Sequence, residues 1–183
     1  MIFGSRHAKR TDAELMALVA KGDEKAFEEL LKRYQGVVYN FAMYMLKDPS
    51  EAEDIAQETF LRLYKTSAAY RQKASLKTFL LRIAKNLCID HFRKKKPDLL
   101  NELPEIPTEA TPLSQLEAAV SADMLEKAID DLPVNQRTAV LLRHMEQLSY
   151  NQIAEVMEVS LGAVESLLVR ARRTLRAAVS EAA

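Results

Sequence analysis

The 183-residue sequence lacks the features that mark secreted and membrane-spanning proteins. It has one cysteine, Cys88, which excludes an internal disulfide and fits a reducing compartment. The sequence contains only four glycines and lacks tryptophan. No apolar run approaches the roughly 18 residues of a membrane helix. The N-terminal segment 1–10 lacks the apolar core of a signal peptide. We therefore expect a cytoplasmic protein that does not insert into a membrane.

Groups that would carry catalysis or hold a metal are also scarce. The histidines, His7, His91 and His144, are scattered along the chain, and no Glu-x-x-His pairing occurs. The sequence has neither a nucleophile elbow nor a phosphate-binding glycine loop. A helical hydrolase or metal enzyme is therefore a poor interpretation, and we expect neither catalysis nor a cofactor.

Helix-forming residues are abundant, and positive and negative charges balance. Hydrophobic residues make up 48% of the chain, which is enough to build real cores, and charged residues make up 28%. Many Ala, Leu, Glu, Lys and Arg residues with few glycines predict an all-α fold. The formal net charge is zero, so any affinity for nucleic acid must come from local patches.

A proline-rich acidic segment, 97–113, separates two stretches of helical pattern. It holds four of the six prolines and four acidic residues, with no basic residue. Such a composition predicts an extended linker. We expect two small helical domains, 10–96 and 114–179, joined by this segment.

The most informative stretch, 149–176, predicts a helix, a tight turn and a second helix. Ser149 and Gln152 form a capping-box pattern at the start of the first helix. Glu158 occupies a turn position where positive φ is favoured. Ser160 is expected to cap the second helix. Two helices joined in this way are typical of a DNA-binding helix-turn-helix.

The second of these helices is amphipathic, and Val159 just before it is expected to point inward. Its apolar face consists of Val164, Leu167, Leu168, Ala171 and Leu175. The opposite face consists of Ser166, Val169, Arg170, Arg173 and Arg176. The planar guanidinium of arginine suits phosphates and guanine edges, so this face is interpreted as a DNA reader. A helical hairpin with merely solvated arginines is the alternative.

An earlier helix, predicted for about 51–65 with Ser50 as its cap, also has two faces. The face expected to be buried consists of Ala52, Ile55, Ala56, Thr59, Phe60 and Leu63. The opposite face consists of Asp54, Gln57, Glu58 and Leu61. A charged stripe is usually only solvated, but an apolar Leu61 among acids suits a partner surface.

A basic loop, 67–75, precedes a fourth helix that Ser75 should cap and that ends in the basic run 93–96. The aromatic and basic loop residues are Tyr70, Arg71 and Lys73. The helix is expected to bury Leu76, Phe79, Leu80, Ile83 and Leu87. Its other side carries Arg82, Lys85, Asn86, Asp90 and Arg93. This pattern describes a single-strand binding surface, although cations at a helix C-terminus also favour the helix dipole.

Two segments resemble one family, the bacterial RNA polymerase sigma factors of the extracytoplasmic-function (ECF) class. AEDIAQETFLRLY (52–64) followed by TFLLRIAKNLCIDHFRKKK (78–96) resembles region 2 of that family. DLPVNQRTAVLLRHMEQLSYNQIAEVMEVSLGAVESLLVRARRTLR (131–176) resembles region 4. The order of the segments, their spacing and the short linker agree with the family. The chain departs from the pattern at four positions: Phe79 replaces a common Trp, Glu158 a turn Gly, and Glu165 and Leu167 basic residues.

The resemblance implies a role for each surface. Docking on the clamp helices of the polymerase largest subunit is implied for Asp54, Gln57, Glu58 and Leu61. Capture of unpaired −10 bases is implied for Tyr70, Arg71, Lys73, Arg82, Lys85, Asn86, Asp90 and Arg93. Contact with the −35 duplex is implied for Ser160, Gly162, Glu165, Ser166, Val169, Arg170, Arg173 and Arg176. The linker would thread toward the polymerase active site, and an anti-sigma protein is an expected partner.

The sequence is therefore interpreted as a promoter-specificity factor that directs core RNA polymerase to promoters and helps to open the −10 region. The alternative is an autonomous helix-turn-helix regulator whose N-terminal helices form a dimerisation or sensor module. The acidic stripe around Asp54 argues against that alternative, because a dimer interface should be more apolar.

Overall fold

The computed structural model describes residues 7–70, 75–95 and 122–180. Every regular element in these ranges is helical, which confirms the all-α prediction. Contacts divide the chain into two compact units, Met1–Cys88 and Ile89–Ala183. The predicted domain limits, 10–96 and 114–179, stay predictions, and the linker 97–113 lies outside the described residues.

The first unit is built on a long central helix. Its elements are α1 (Asp12–Val19), α2 (Glu24–Leu46), α3 (Pro49–Thr66), a short 3-10 turn η1 (Ser67–Ala69) and α4 (Leu76–Lys95), which belongs to this unit up to Cys88. Helix α2 packs against α1 on one side and α3 on another, and α1 also packs against η1. The buried side chains of α2 and α3 include Leu30, Val38, Phe41, Met45, Ala52, Ile55, Phe60 and Leu63. Helical spacing in the sequence predicts a buried stripe on α2 of Phe27, Leu30, Leu31, Tyr34, Val38, Phe41, Ala42 and Met45. Of these, Phe27, Leu31 and Tyr34 are only half-buried, as is Ala56 on the predicted face of α3, and the other members of the two faces are buried.

Side-chain caps fix where several of these helices begin. Thr11 and Glu14 form the reciprocal capping box at α1. Asp23 accepts a hydrogen bond from the Ala26 amide at 3.0 Å and caps α2. Ser75 Oγ accepts one from the Thr78 amide at 3.1 Å. The sequence predicts all three: residues 11–14 have the capping-box pattern, Asp23 follows the helix-breaking Gly22, and Ser75 precedes the fourth helix. A cap of this kind contributes about 1 kcal/mol to helix stability.

The cap of α3 was predicted wrongly. The N-cap of α3 is Asp48, and not Ser50. The Asp48 carboxylate accepts hydrogen bonds from the Ser50 and Glu51 amides at 3.0 and 3.1 Å. Pro49 is the first helical residue. Proline is well tolerated there because its missing N–H would have no intrahelical partner. The helix therefore starts two residues earlier than expected.

The buried face of α4 also differs from the prediction. Leu76 and Leu80 are buried as expected, but Phe79, Ile83 and Leu87 are only half-buried. The remaining buried apolar side chains are Leu81, Ala84 and Cys88. Apolar residues surround much of this helix, so periodicity alone could not identify the side that packs.

The second unit gathers three helices around the last one. Its elements are α5 (Ala122–Asp130), α6 (Val134–His144), α7 (Tyr150–Met157) and α8 (Leu161–Ser180). Helix α8 packs against α5, α6 and α7, and α6 also packs against α7. The five residues of the predicted apolar face of α8 are all buried. The sequence also predicts a capping box of Ser114 and Glu117 at the start of this domain, and both residues lie outside the described ranges.

The turn between α7 and α8 has the predicted left-handed residue. Glu158 has φ 59° and ψ 42°, and the amide of Val159 donates to the Ala154 carbonyl at 3.1 Å. The expectation that Val159 points inward is wrong, since it is 38% exposed. The turn is short, and Val159 stands between the left-handed residue and the cap of α8, where its side chain projects from the surface. Within the described ranges, no helix combines the length and apolarity needed to cross a bilayer.

Candidate nucleic-acid and polymerase interfaces

The residues predicted to contact a protein partner lie along one outer side of α3, here called the α3 stripe: Asp54, Gln57, Glu58 and Leu61. Asp54 and Gln57 are exposed, and Leu61 is 45% exposed. Glu58 accepts a hydrogen bond from Arg62 Nε at 2.8 Å, which lowers the pKa of the Glu58 carboxyl. Asp54 has no ion-pair or hydrogen-bond partner among the described residues. Asp54 is thus the carboxylate of the stripe most available to a cationic partner.

Sequence reasoning missed Tyr64, which extends the α3 stripe by one turn. Tyr64 is exposed and lies three residues after Leu61. Its ring meets the ring of Phe27 edge-on, with centroids 5.3 Å apart and an interplanar angle of 68°. Continuing the spacing of three from Leu61 would have found it. Leu61 and Tyr64 together give the stripe an apolar end.

One residue of the basic loop and two residues of α4 form a contiguous group, here called the aromatic cluster: Tyr70, Phe79 and Arg82. The rings of Tyr70 and Phe79 meet edge-on at 5.3 Å between centroids and 70° between planes. The guanidinium carbon of Arg82 lies 5.3 Å from the centroid of the Phe79 ring. Sequence reasoning assigned Phe79 to the core, but its half-buried ring joins the two predicted binding residues. Rings and a guanidinium arranged in this way can stack on nucleic-acid bases.

The environment of Tyr70 favours the neutral form of its phenol. Partial burial raises the pKa of Tyr70, and the charge of Asp12 on α1 raises it further. Asp12 itself accepts hydrogen bonds from Arg33, at 3.0 Å, and from the hydroxyl of Tyr34. The phenol of Tyr70 is therefore a neutral group that can donate a hydrogen bond near neutral pH.

Two other residues predicted for the same surface behave differently from each other. The expectation that Lys85 lies on the free side of α4 is wrong, because it is only 8% exposed. Its Nζ donates to Asn86 Oδ1 at 2.5 Å. The long aliphatic stem of lysine allows such burial while the ammonium keeps a polar partner. Asn86 is half-buried beside it, so Lys85 can orient the Asn86 amide.

The C-terminal part of α4 carries an exposed ion pair. Arg93 Nη1 lies 3.5 Å from Asp90 Oδ1, and both side chains are more than half exposed. Solvent screens such a pair, so it contributes little to stability. Arg71 and Lys73, also predicted for this surface, lie outside the described residues.

Local capping sets the geometry of the helix-turn-helix. The hydroxyl of Ser149 accepts from the Gln152 amide at 3.3 Å, and the Gln152 side chain accepts from the Ser149 amide at 2.9 Å. Ser160 Oγ accepts from the Ala163 amide at 3.2 Å. All these contacts follow the sequence prediction and fix the positions where α7 and α8 begin.

Tyr150, which sequence reasoning did not single out, connects three parts of the second unit. Its hydroxyl accepts a hydrogen bond from Arg172 Nη2 on α8 at 3.1 Å. The guanidinium of Arg143 on α6 lies 5.2 Å from the centroid of its ring and donates to the Leu148 carbonyl at 2.8 Å. Two arginines thereby hold α7 against its neighbours. No sequence spacing reports such a contact, because the partners lie on different helices.

The exposed surface of α8 differs in part from the predicted one. Ser160, Gly162, Glu165 and Arg173 are exposed, and Val169, Arg170 and Arg176 are half-exposed. Ser166 is only 4% exposed, so its predicted place on the free face is wrong. Helix α8 contacts three other helices, and its covered surface is therefore wider than the single stripe that the amphipathic pattern implied.

Metal binding has no support in the described ranges. No three or more His, Cys, Asp or Glu side chains there are grouped so that they could hold an ion. The surfaces described above offer aromatic rings, guanidinium groups, hydroxyls and carboxylates. Such groups can bind a partner through stacking, charge and hydrogen bonds.

Two family models match the chain. Residues 30–97 match "Sigma-70 region 2" and residues 122–175 match "Sigma-70, region 4". The first match includes the α3 stripe and the aromatic cluster, and the second includes the helix-turn-helix.

The chain is also similar to curated proteins over most of their length. It is 35% identical over 170 residues to the ECF RNA polymerase sigma factor SigW of Bacillus subtilis, covering 86% of this chain and 91% of the relative. It is 32% identical over 173 residues to the ECF RNA polymerase sigma factor SigM of Mycobacterium tuberculosis, covering 94% and 86%.

Solved structures share the fold. The chain superimposes on CnrH, solved in complex with the cytosolic domain of CnrY, with a TM-score of 0.71 and 22% identity, covering 94% of this chain and 99% of that one. It superimposes on the sigma factor RpoE, solved with the anti-sigma factor NepR from Bartonella quintana, with a TM-score of 0.66 and 21% identity, covering 85% and 98%.

Proposed function

We infer the role of this chain from one premise: it belongs to the family of ECF RNA polymerase sigma factors. As a sigma factor, it directs core RNA polymerase to specific promoters and helps to open the −10 region at the start of transcription. The family assignment favours this role over that of an autonomous helix-turn-helix regulator. We propose that the chain acts without catalysis of its own, in the cytoplasm.

One observation supports this role most directly: a single chain carries surfaces suited to two forms of DNA. The aromatic cluster offers rings and a guanidinium that suit unpaired bases. Helix α8, held by Tyr150 and capped by Ser160, offers polar and charged side chains to a duplex groove. A regulator of intact duplex would need only the second surface.

We assign the surfaces as follows. The aromatic cluster, with Asn86 beside it, captures an unpaired base of the −10 element, and Arg71 and Lys73 attract the strand. The exposed side of α8 contacts the −35 duplex. The α3 stripe docks on a basic surface of core polymerase, where free Asp54 supplies charge and Leu61 an apolar contact.

We also propose that an anti-sigma protein binds this chain. The family assignment supports this partner, since the related sigma factor RpoE was solved with an anti-sigma factor. An inhibitor of this kind would have to cover at least one of the three surfaces. The α3 stripe is a suitable target, because covering it would prevent docking on polymerase.

The experiment is reconstitution of transcription from purified bacterial core polymerase, this chain and a promoter library. We expect promoter-dependent transcripts with the wild-type chain. We expect Asp54→Lys to abolish both core binding in a pull-down and transcription, because the reversed charge meets a basic partner. Folding stability should stay within about 0.5 kcal/mol of wild type, as is usual for an exposed position.

Glu28→Lys is the control, because Glu28 is an exposed acid on α2 and does not belong to the α3 stripe. It makes the same charge change and should leave core binding intact. If Asp54→Lys binds core polymerase as well as Glu28→Lys does, the α3 stripe is only a solvated face. If the wild-type chain supports no promoter-dependent transcription, the proposed function itself fails.

A further inference from the structure

The first turns of α8 present an apolar side chain and an acid on one outer side. Leu161 is 43% exposed, and Glu165, four residues later, is also exposed. Residues four apart on a helix are neighbours, about 6 Å apart along the axis. Glu165 has no ion-pair or hydrogen-bond partner among the described residues. A free carboxylate is unexpected on a surface that meets phosphates.

The contacts described for α8 do not involve either side chain. The helix is fixed by its buried apolar face, by the Ser160 cap at its start and by the hydrogen bond from Arg172 to Tyr150. The turn before α8 is set by the backbone of Glu158. Replacing Leu161 or Glu165 should therefore leave the fold intact, so an effect on DNA can be read separately from an effect on folding.

The chemistry of the two side chains selects particular bases. In the major groove, the methyl group of thymine is the apolar group that base edges present, and cytosine presents an amino donor. Adenine also has an amino group, but its neighbouring N7 acceptor repels a carboxylate. Guanine presents two acceptors and repels it more strongly. An apolar residue beside a free acid therefore matches thymine near cytosine.

We propose, building on the proposed function, that Leu161 and Glu165 set the base preference of the chain in the −35 duplex. Leu161 contacts a thymine methyl, and Glu165 accepts a hydrogen bond from the N4 amino group of a cytosine. The 6 Å between neighbouring helical positions corresponds to about two base pairs, at about 3.4 Å each. With α8 lying along the major groove, as a recognition helix does, the two bases are expected one or two base pairs apart.

The charge of Glu165 has measurable effects on DNA affinity and base preference that a purely structural side chain would not have. Glu165 repels the phosphates and purine edges, so it lowers affinity for unsuitable sites while it selects cytosine. Its amide counterpart in Glu165→Gln carries no charge and both donates and accepts. That variant should bind DNA more tightly overall and discriminate less.

The test uses core polymerase, the full-length chain and promoters randomised across the −35 duplex, with the transcribed templates sequenced. Wild type should enrich cytosine at one position and thymine within two base pairs of it. Glu165→Gln should reduce the preference for cytosine by about tenfold, the size expected for one charged hydrogen bond. Leu161→Ala should keep the cytosine preference and lose about fourfold in thymine preference, the size expected for one buried methyl group.

Deoxyuridine in place of the selected thymine removes only the methyl group. It should weaken wild type by about fourfold and leave Leu161→Ala unchanged. Glu155→Gln on α7 and Leu125→Ala on α5 are matched controls at exposed positions, and they should keep the wild-type preferences. If both test variants select the same bases as wild type, the assignment is overturned while the proposed function stands. If no template is transcribed with wild type, both fail.

Discussion

Replacing Tyr70 by Ala should impair promoter opening far more than promoter docking. The substitution removes one ring of the aromatic cluster, which lies edge-on to Phe79 at 5.3 Å. Base–aromatic stacking contributes about 1–3 kcal/mol per base. If Tyr70 stacks on one unpaired base, its loss should reduce the open fraction by about 5- to 150-fold.

The cost to folding should be smaller. An edge-on aromatic pair contributes about 0.5–1.5 kcal/mol beyond its area burial, and Tyr70 is only half-buried. A loss of this size leaves most domains folded, since their stability is about 5–15 kcal/mol. Tyr70→Phe keeps the ring and removes only the hydroxyl, so it should retain most of the opening activity. Tyr44→Ala is a control for loss of a half-exposed tyrosine on α2, where the ring lies under Lys47.

Permanganate footprinting measures unpaired thymines, and a gel shift with the same promoter measures docking. The expected result is a weak footprint with a normal shift for Tyr70→Ala, and wild-type behaviour for Tyr44→Ala. An equal footprint for Tyr70→Ala and wild type, in molecules shown to be folded, would refute a stacking role. If Tyr70→Ala weakened the gel shift and the permanganate footprint in proportion, Tyr70 would instead contribute to docking.

Three further outcomes are expected. Arg173→Ala should reduce the slope of log binding constant against log salt by about 0.9 for the holoenzyme on the −35 duplex, because one phosphate contact is lost; Lys127→Ala on α5 should leave the slope unchanged. Glu158→Gly should stabilise the second unit by about 0.5–1 kcal/mol in thermal unfolding. Glycine adopts φ 59° without steric cost, but it loses more backbone entropy on folding, which offsets part of the gain. A lower melting temperature would contradict this. Cys88 is fully buried, and burial raises its pKa to about 12. Because the thiolate is the reactive form, iodoacetamide at pH 8 should alkylate the native chain at least about a thousandfold more slowly than the chain in urea. Equal rates would show that the thiol is accessible.

Features fixed by neighbouring residues could be predicted from the sequence. The left-handed Glu158, the capping box of Ser149 and the cap at Ser160 all depend on atoms a few residues apart. Their preferred conformations are nearly the same in any fold, because short side chains satisfy the nearest free amides. Most of the buried faces of α2 and α3, and the whole predicted apolar face of α8, followed from periodicity, because these helices carry their apolar residues mainly on one side.

Features that depend on packing between distant segments could not be predicted. Ser166 and Lys85 occupy positions that a single amphipathic stripe places outside, yet both are buried. Periodicity counts apolar residues and does not reveal how many neighbours a helix has. For the same reason, the contact of Phe79 with Tyr70 and the two arginines around Tyr150 were not foreseen. The roles of these residues at polymerase and promoter stay predictions.

The neutral charge of the chain bears on how it can find a promoter. With 26 basic and 26 acidic residues, its net charge adds no general attraction for DNA, and counterion release is limited to the few phosphates that its local basic side chains contact. On α8 the exposed acid Glu165 further offsets arginines such as Arg173. The free chain should therefore bind duplex DNA weakly, whatever the sequence. In the proposed complex, in which the α3 stripe binds polymerase, polymerase would supply most of the phosphate contacts that hold the promoter. A weak sequence-independent affinity of the chain favours selectivity. When the chain contributes little binding to DNA of any sequence, one or two base-specific hydrogen bonds decide which site is bound.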